Sequence, residues 1–129
     1  MVIDTSVLFA IEMMEPEAAR FDEMIRGAPR RLMSVANVLE LVTGLTARRG
    51  RDQRPTVDDL VADYDLDLVP VDQAQMRIAC EAMVRFGKGR HPARLNYGDC
   101  FAYALSLSSG EPLLFKGDEF SKTDVAITI

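Results

Sequence analysis

The sequence predicts an α/β protein built on a mainly parallel sheet with helices on both faces, and three observations carry that expectation. Short apolar runs recur along the chain: Met1-Val2-Ile3, Arg31-Leu32-Met33, Leu66 to Val71, Leu113-Leu114-Phe115 and Val125 to Ile129. The segments between most of them are longer, and their apolar residues return at helical spacing. Three of the runs lead directly into Asp4, Ser34 or Asp72, residue types that cap helices. Strand followed by helix, repeated, is the pattern of crossover connections, which build parallel sheets covered on both sides.

The elements follow in order. After the first strand, Asp4-Thr5-Ser6 cap a helix carrying Val7, Leu8 and Ile11. Pro16 suits the first turn of a second helix with Ala19, Phe21, Met24 and Ile25, ending near Gly27. The second strand feeds a helix from Val35 to about Arg49, stopped by Gly50. Thr56 caps a short helix through Tyr64, and the third strand follows. Asp72 opens an amphipathic helix with Ile78, Ala79, Ala82, Met83 and Phe86 on one side, which dissolves into the loop Gly87 to Pro92. Asn96 or Gly98 starts a helix closed by Gly110; Pro112 then leads into the fourth strand, and the fifth ends the chain.

With 129 residues, 48% of them hydrophobic and 27% charged, the chain is the size of one domain, 1–129, with enough apolar side chain for a core. No apolar run is long enough to span a bilayer, and Asp4 interrupts the first one too early for a signal peptide, so a cytoplasmic location without membrane contact is expected. Cys80 and Cys100 lie inside helical patterns and read as buried free thiols; with a single histidine they make a structural zinc site an unsuitable reading. The net charge of −5 argues against a nucleic-acid binder unless the acids are gathered around a cation and the bases lie together elsewhere.

The placement of the acids meets that condition. In parallel sheets, ligands collect beyond the carboxyl ends of the strands. Asp4 follows the first strand, Asp118 follows the fourth, and Asp99 stands in the first turn of an otherwise apolar helix. Glu40 lies in Val38-Leu39-Glu40-Leu41-Val42, where an unpaired carboxylate would cost several kcal/mol or take up a proton. It shares a helix face with Asn37 and Gly44, a narrow polar stripe on an apolar helix. Each acid also has an ordinary reading: Asp4 as a cap, Asp99 as a partner of the helix dipole, Asp118 as a turn residue, Glu40 as the partner of an arginine. Joint placement on one sheet edge favours the cation. Oxygen ligands without histidine or soft sulfur suit Mg²⁺ or Mn²⁺, ions that activate water for phosphodiester hydrolysis.

His91, the only histidine, excludes a mechanism built on a histidine pair. It sits in the basic loop Lys88-Gly89-Arg90-His91-Pro92-Ala93-Arg94 directly before Asp99, where Lys88, Arg90, His91 and Arg94 are candidates to grip the phosphates of a nucleic-acid backbone; solvated surface is the alternative. Arg48, Arg49, Arg51 and Arg54 form a second basic cluster.

Met1-Val2-Ile3-Asp4-Thr5-Ser6, Glu40 in its apolar helix, Leu95-Asn96-Tyr97-Gly98-Asp99-Cys100-Phe101-Ala102-Tyr103-Ala104 and Pro112-Leu113-Leu114-Phe115-Lys116-Gly117-Asp118 together resemble the PIN-domain toxins of the VapC type, over essentially the whole chain. The resemblance implies a three-layer α/β/α domain with a parallel sheet of about five strands in the order 3-2-1-4-5. It implies Mg²⁺- or Mn²⁺-dependent cleavage of RNA, commonly tRNA or ribosomal RNA, inhibition by a cognate VapB-type antitoxin, and a homodimer. By the same resemblance Asp4, Glu40 and Asp99 are the metal-binding acids, with Ser6 and Asn96 as polar support. The sequence departs from the family where the last acid often stands directly before phenylalanine: here the order is Gly117-Asp118-Glu119-Phe120. Asp118 is favoured as the fourth acid, with Glu119 and Asp124 as further candidates.

Two other functions compete with the ribonuclease toxin. One is a catalytically inactive module on the same fold that binds an antitoxin or RNA. The other is a different phosphoryl-transfer enzyme, but an aspartyl-phosphatase would carry a second aspartate where Ser6 stands, and no glycine-rich nucleotide loop is present.

Overall fold

The computed structural model describes residues 1–128. Four parallel strands, β1 (Val2–Ile3), β2 (Leu32–Ser34), β3 (Asp67–Val69) and β4 (Leu113–Leu114), form one sheet in the order β3-β2-β1-β4. The helices are α1 (Thr5–Glu12), α2 (Ala18–Gly27), α3 (Val35–Arg49), α4 (Arg54–Asp63), α5 (Gln73–Phe86) and α6 (Tyr97–Ser109), with a 3₁₀ turn at Phe120–Lys122.

The alternation of side chains along each strand makes the layers. Val2 pairs in register with Leu32 and with Leu113, and all three point into one apolar core with Phe86, Leu105 and Tyr103 from α5 and α6. The next residues, Ile3, Met33 and Leu114, point to the other side and pack with Leu8, Ile25, Leu41 and Val57 from α1 to α4. Two hydrophobic cores therefore lie on opposite faces of one short sheet, the α/β/α arrangement expected from continuous apolar strands.

Local sequence explains the ends. Gly50 and Gly110 take left-handed backbone conformations, with φ of 70° and 73°, and stop α3 and α6 as C-terminal glycines do. Asp4, Ser34 and Asp72 each accept a hydrogen bond from the first turn they cap. At α4 the cap differs from expectation: the helix begins at Arg54, because Pro55 fits its first turn without a donor and Asp52 accepts from the Arg54 amide at 2.9 Å.

The fifth strand is reduced to a single parallel bridge, Leu113 with Ile127. Leu113 N donates to Ala126 O at 2.8 Å and Thr128 N to Leu113 O at 2.9 Å. It lies beside β4, where a fifth strand in the order 3-2-1-4-5 would stand, but with β4 only two residues long the ladder cannot extend; Ile129, the last residue assigned to that strand, is outside the described residues. Cys100 is buried and free as expected, whereas Cys80 is exposed, because it falls on the outer side of α5 beside Met76. No helix among the described residues is long and apolar enough to cross a membrane.

Candidate active site

The sheet order places a topological switch between β1 and β4: the chain moves outward from β1 to β2 and β3, then returns to the opposite side of β1. Chain segments leaving β1 and β4 diverge there and leave a crevice, the usual ligand position in such folds. A pocket of about 470 Å³ opens at this place, lined by Asp4 and Ser6 after β1, Lys116 and Gly117 after β4, Glu40 from α3 and Asp99 from α6. The three acids singled out by the sequence meet in it.

Each is held by one oxygen. Asp4 Oδ2 accepts from the Ser6 amide at 3.0 Å and the Ser6 hydroxyl at 2.6 Å, and Ser6 Oγ in turn accepts from the Lys116 amide at 2.9 Å, tying the exits of β1 and β4 together. Asp4 is thus the helix cap that its ordinary reading predicts. Its other oxygen, Oδ1, is buried without a hydrogen-bond partner among the described residues. A buried, unpartnered carboxylate oxygen is costly, and burial pushes the Asp4 carboxyl up to about 6, against the pull of its Ser6 hydrogen bonds.

Glu40 Oε1 accepts from the Thr5 hydroxyl and from Asn37 Nδ2 at 3.2 Å, and that same amide also donates to Gly98 O at 3.0 Å. The other Glu40 oxygen presses into the space over Gly98: a Cβ there would lie 1.6 Å from Oε2. Only glycine at position 98 lets α6 approach α3 with this carboxylate between them. Asp99 forms a reciprocal capping box with Asn96, whose Oδ1 accepts from the Asp99 amide at 2.9 Å while Asp99 Oδ2 accepts from the Asn96 amide at 2.9 Å. Burial first, and then the charges of Asp4, Glu40 and Glu119, push Asp99 up to about 7, despite the Asn96 bond.

The remaining acids separate clearly. Asp118 is exposed and pairs with Lys122 at 3.0 Å, which holds its carboxyl below the usual range; it does not line the acidic pocket. Glu119 turns back over Gly117, where a Cβ would lie 2.3 Å from its Oε2, and its charge is felt at Asp99. Asp118 follows Gly117, whose φ is positive at 110°; of the two neighbouring acids it is Glu119 whose charge acts on Asp99, and neither lines the acidic pocket. Asp124 accepts from the Tyr103 hydroxyl at 2.6 Å and pairs with Arg85 at 3.5 Å, which ties the chain end to α5 and α6, away from the pocket.

The basic residues divide likewise. His91 Nδ1 accepts from the Ala93 amide at 3.0 Å and its ring meets Phe86 edge-on at 5.1 Å, so it braces the loop. Lys88 and Arg94 line a neighbouring pocket, whereas Arg90 does not. In the second cluster, Arg49 is engaged by Glu12 at 2.8 Å and Gln53 at 2.7 Å, and Arg54 by Asp52 at 2.8 Å.

Sequence reasoning missed Thr5, Gly98 and Lys116. Thr5 was hidden behind its role as a capping type. Gly98 carried a signal, since glycine disfavours a helical first turn and stood directly before an acid. Lys116, with Glu15 and Glu17 as its partners, puts a neutralised cation on the pocket wall.

The donor set suits a hard divalent cation: Asp4, Glu40 and Asp99 each keep one oxygen free of partners among the described residues, and no histidine or thiol lines the pocket. As they stand, no three such side chains among the described residues converge closely enough to enclose an ion by themselves. Mg²⁺-type sites do not require that, because the ion keeps several of its waters and uses one or two carboxylates.

A family model for the PIN domain matches residues 1–126. The chain is 47% identical over 126 residues to a ribonuclease VapC of Mycolicibacterium smegmatis, covering 98% of both chains. It is 46% identical over 126 residues to ribonuclease VapC30 of Mycobacterium tuberculosis, covering 98% of this chain and 96% of that one.

The chain belongs to the VapC ribonucleases of the PIN-domain family.

Solved structures extend the likeness of fold. VapC20 of Mycobacterium tuberculosis, a toxin that cleaves the sarcin-ricin loop, superposes with a TM-score of 0.78 at 17% identity, covering 98% of this chain and 97% of that one. VapBC2 of Rickettsia felis, solved bound to a DNA fragment from its promoter, gives 0.72 at 12% identity over 98% and 94%. Family membership makes divalent-metal dependence the expectation for the acidic pocket.

Proposed function

We propose that this chain is the toxin of a type II toxin–antitoxin pair and that it cuts structured RNA, tRNA or ribosomal RNA, with Mg²⁺, for which Mn²⁺ substitutes. The observation that carries the reading is the convergence of Asp4, Glu40 and Asp99 in one pocket, with Asp4 Oδ1 buried and unpartnered among the described residues, in a chain of a ribonuclease family.

Asp4, Glu40 and Asp99 are the residues that would hold the ion. A divalent cation bound there supplies the charge that lowers the pKa of an attacking water and neutralises the phosphoryl oxygens during in-line displacement. The protein's own part is positioning. Ser6 fixes Asp4, Thr5 and Asn37 fix Glu40, and Asn96 fixes Asp99, so each carboxylate meets its ligand with one oxygen already anchored. Glu119 is the fourth acid in this account. An inactive module is disfavoured, since all three acids retain their anchoring partners.

The partner in this reading is a VapB-type antitoxin. Its candidate seat is α1 and the turn that follows it, where Phe9 and Met13 are half-buried and Met14 is exposed, whereas Leu8 is fully buried in the core. A homodimer would use the apolar face of α5 and α6, where Met76, Val84 and Tyr97 are exposed. The cytoplasm, where the RNA is, is the site of action.

The test is cleavage of purified cellular RNA by the wild-type chain and by Asp99→Asn. Discrete fragments that require Mg²⁺ and vanish in chelator and in the variant support the reading. Undiminished cleavage by Asp99→Asn, or in chelator, overturns it.

A further inference from the structure

Beside the acidic pocket, and sharing Asn96 with it, lies a second concavity of about 370 Å³. Its chemistry is opposite. Lys88, Arg94 and Lys122 line it, together with Asp118 and Glu119. The three cations come from separate places in the chain: the end of α5, the loop before α6 and the 3₁₀ turn after β4. Their convergence is a product of the fold and not of a run of charge.

The wall that carries Lys88 and Arg94 is built. Lys88 N donates to Leu95 O and Leu95 N to Phe86 O, both at 2.9 Å, closing a parallel bridge between Gly87 and Leu95. Ala93 and Leu95 are buried and His91 braces the turn against Phe86. Arg94 itself takes φ of 57°, a left-handed conformation uncommon for a residue with a side chain, and its amide donates to His91 O at 3.0 Å. Lys88 and Arg94 have no carboxylate in ion-pair reach among the described residues, and Lys122 has only Asp118, at 3.0 Å.

Three converging cations outnumber the two carboxylates of the lining, and of those only Asp118 is paired with a cation while Glu119 turns back over Gly117, so the concavity is a site for an anion that can displace Asp118. The two concavities share Asn96, so a polynucleotide with its scissile phosphate in the acidic pocket has this concavity open to a neighbouring phosphate of the same strand. We infer that Lys88, Arg94 and Lys122 form a docking pocket for an RNA backbone phosphate adjacent to the one being cut, with Asp118 as its resident counter-ion. The inference rests on the ribonuclease reading above. It gives Asp118 a role opposite to that of a metal ligand: the carboxylate occupies Lys122 in the free chain and competes with RNA, so its removal strengthens binding.

The experiment measures binding without cleavage. Fluorescence anisotropy of a labelled single-stranded RNA, in chelator and across a salt series, is compared for the wild type, Lys88→Gln, Arg94→Gln, Lys122→Gln and Asp118→Asn, with Arg77→Gln on α5 as the control. Each lost phosphate contact flattens the slope of log K against log salt by about 0.7, which is a roughly fivefold loss of affinity at about 0.1 M salt. The three Gln variants should each show that loss, Asp118→Asn should bind more tightly than wild type, and Arg77→Gln should match it. Gln variants that bind as wild type does, or an Asp118→Asn that binds more weakly, overturn the inference. Thermal melts of each variant check folding; if Arg94→Gln is unfolded, Lys88→Gln and Lys122→Gln decide. Cleavage in Mg²⁺ is scored separately. Normal cleavage by Gln variants with normal binding sinks the pocket and leaves the ribonuclease intact, whereas normal binding by a wild type that cuts nothing sinks the ribonuclease reading.

Discussion

Asp4→Asn should make the metal-free protein more stable, although it removes a residue central to the site. Burial raises the Asp4 carboxyl from 3.8 to about 6, so its ionised form costs the folded chain about 3 kcal/mol once both folded and unfolded states are charged. The sign follows from linkage. The folded state binds the proton more tightly, so the cost is absent below about pH 4, grows between about 4 and 6, and is complete above that. Asparagine keeps the cap to Ser6 but buries an amide where Oδ1 had no partner, a penalty of roughly 1–2 kcal/mol. The net gain at about pH 7.5 is about 1–2 kcal/mol, or roughly 4–8 °C in Tm for a chain of this size. Circular dichroism melts in chelator should show that gain at about pH 7.5 and lose it near pH 4.5, where the charge cost is only about a third as large. Adding Mg²⁺ at about pH 7.5 should raise the wild-type Tm and leave the variant unchanged, since only a site that binds the ion in the folded state gains from it. A variant that melts below wild type at neutral pH, or whose advantage does not change with pH, would refute the reasoning.

Three further outcomes follow from the same geometry. Gly98→Ala puts a Cβ where Glu40 Oε2 stands, so the carboxylate must move; the helix should form normally by far-ultraviolet circular dichroism while Mg²⁺-dependent cleavage falls by about 10–100-fold. Thr5→Val removes a hydroxyl donor from Glu40 Oε1 without altering volume, and calorimetric titration with Mn²⁺ should show affinity reduced about tenfold. Asp124→Asn weakens the Tyr103 hydrogen bond and the Arg85 pair, so chemical denaturation should report about 1 kcal/mol of lost stability with cleavage unaffected.

The sequence revealed the parts of this protein that depend on local pattern. Asp4, Ser34 and Asp72 announce helix starts because a short side-chain acceptor before an apolar helical stripe has few other uses, and Gly50 and Gly110 announce ends because glycine takes the left-handed helix-ending conformation without a Cβ penalty. Glu40 was legible for a different reason: a carboxylate inside an apolar helix requires a partner, whatever the fold. What the sequence hid was the direction in which exposed side chains turn. Asp118 and Glu119 are adjacent and chemically alike, and only the fold shows that Asp118 pairs with Lys122 while Glu119 lies over Gly117 with its charge acting on Asp99. The charge of the loop from Lys88 to Arg94 was equally visible, but only the fold separates His91, a brace against Phe86, from Lys88 and Arg94, and only the fold adds Lys122 to them. The fifth strand read as a full element from its apolar residues, yet a two-residue β4 offers it a single bridge.

The central claim is that RNA cleavage by this chain depends on a divalent ion held by Asp4, Glu40 and Asp99. Anomalous scattering from a crystal grown with Mn²⁺ tests it most directly, because the signal marks the ion and no lighter atom. The account predicts one or more peaks within coordination distance of Asp4, Glu40 and Asp99 carboxylate oxygens, absent from crystals of Asp99→Asn, a variant that also fails to cleave RNA. A peak at Asp118 or Asp124 with none among the three acids, or an ion-free pocket in a crystal of protein that cleaves RNA in the same Mn²⁺ buffer, would contradict it.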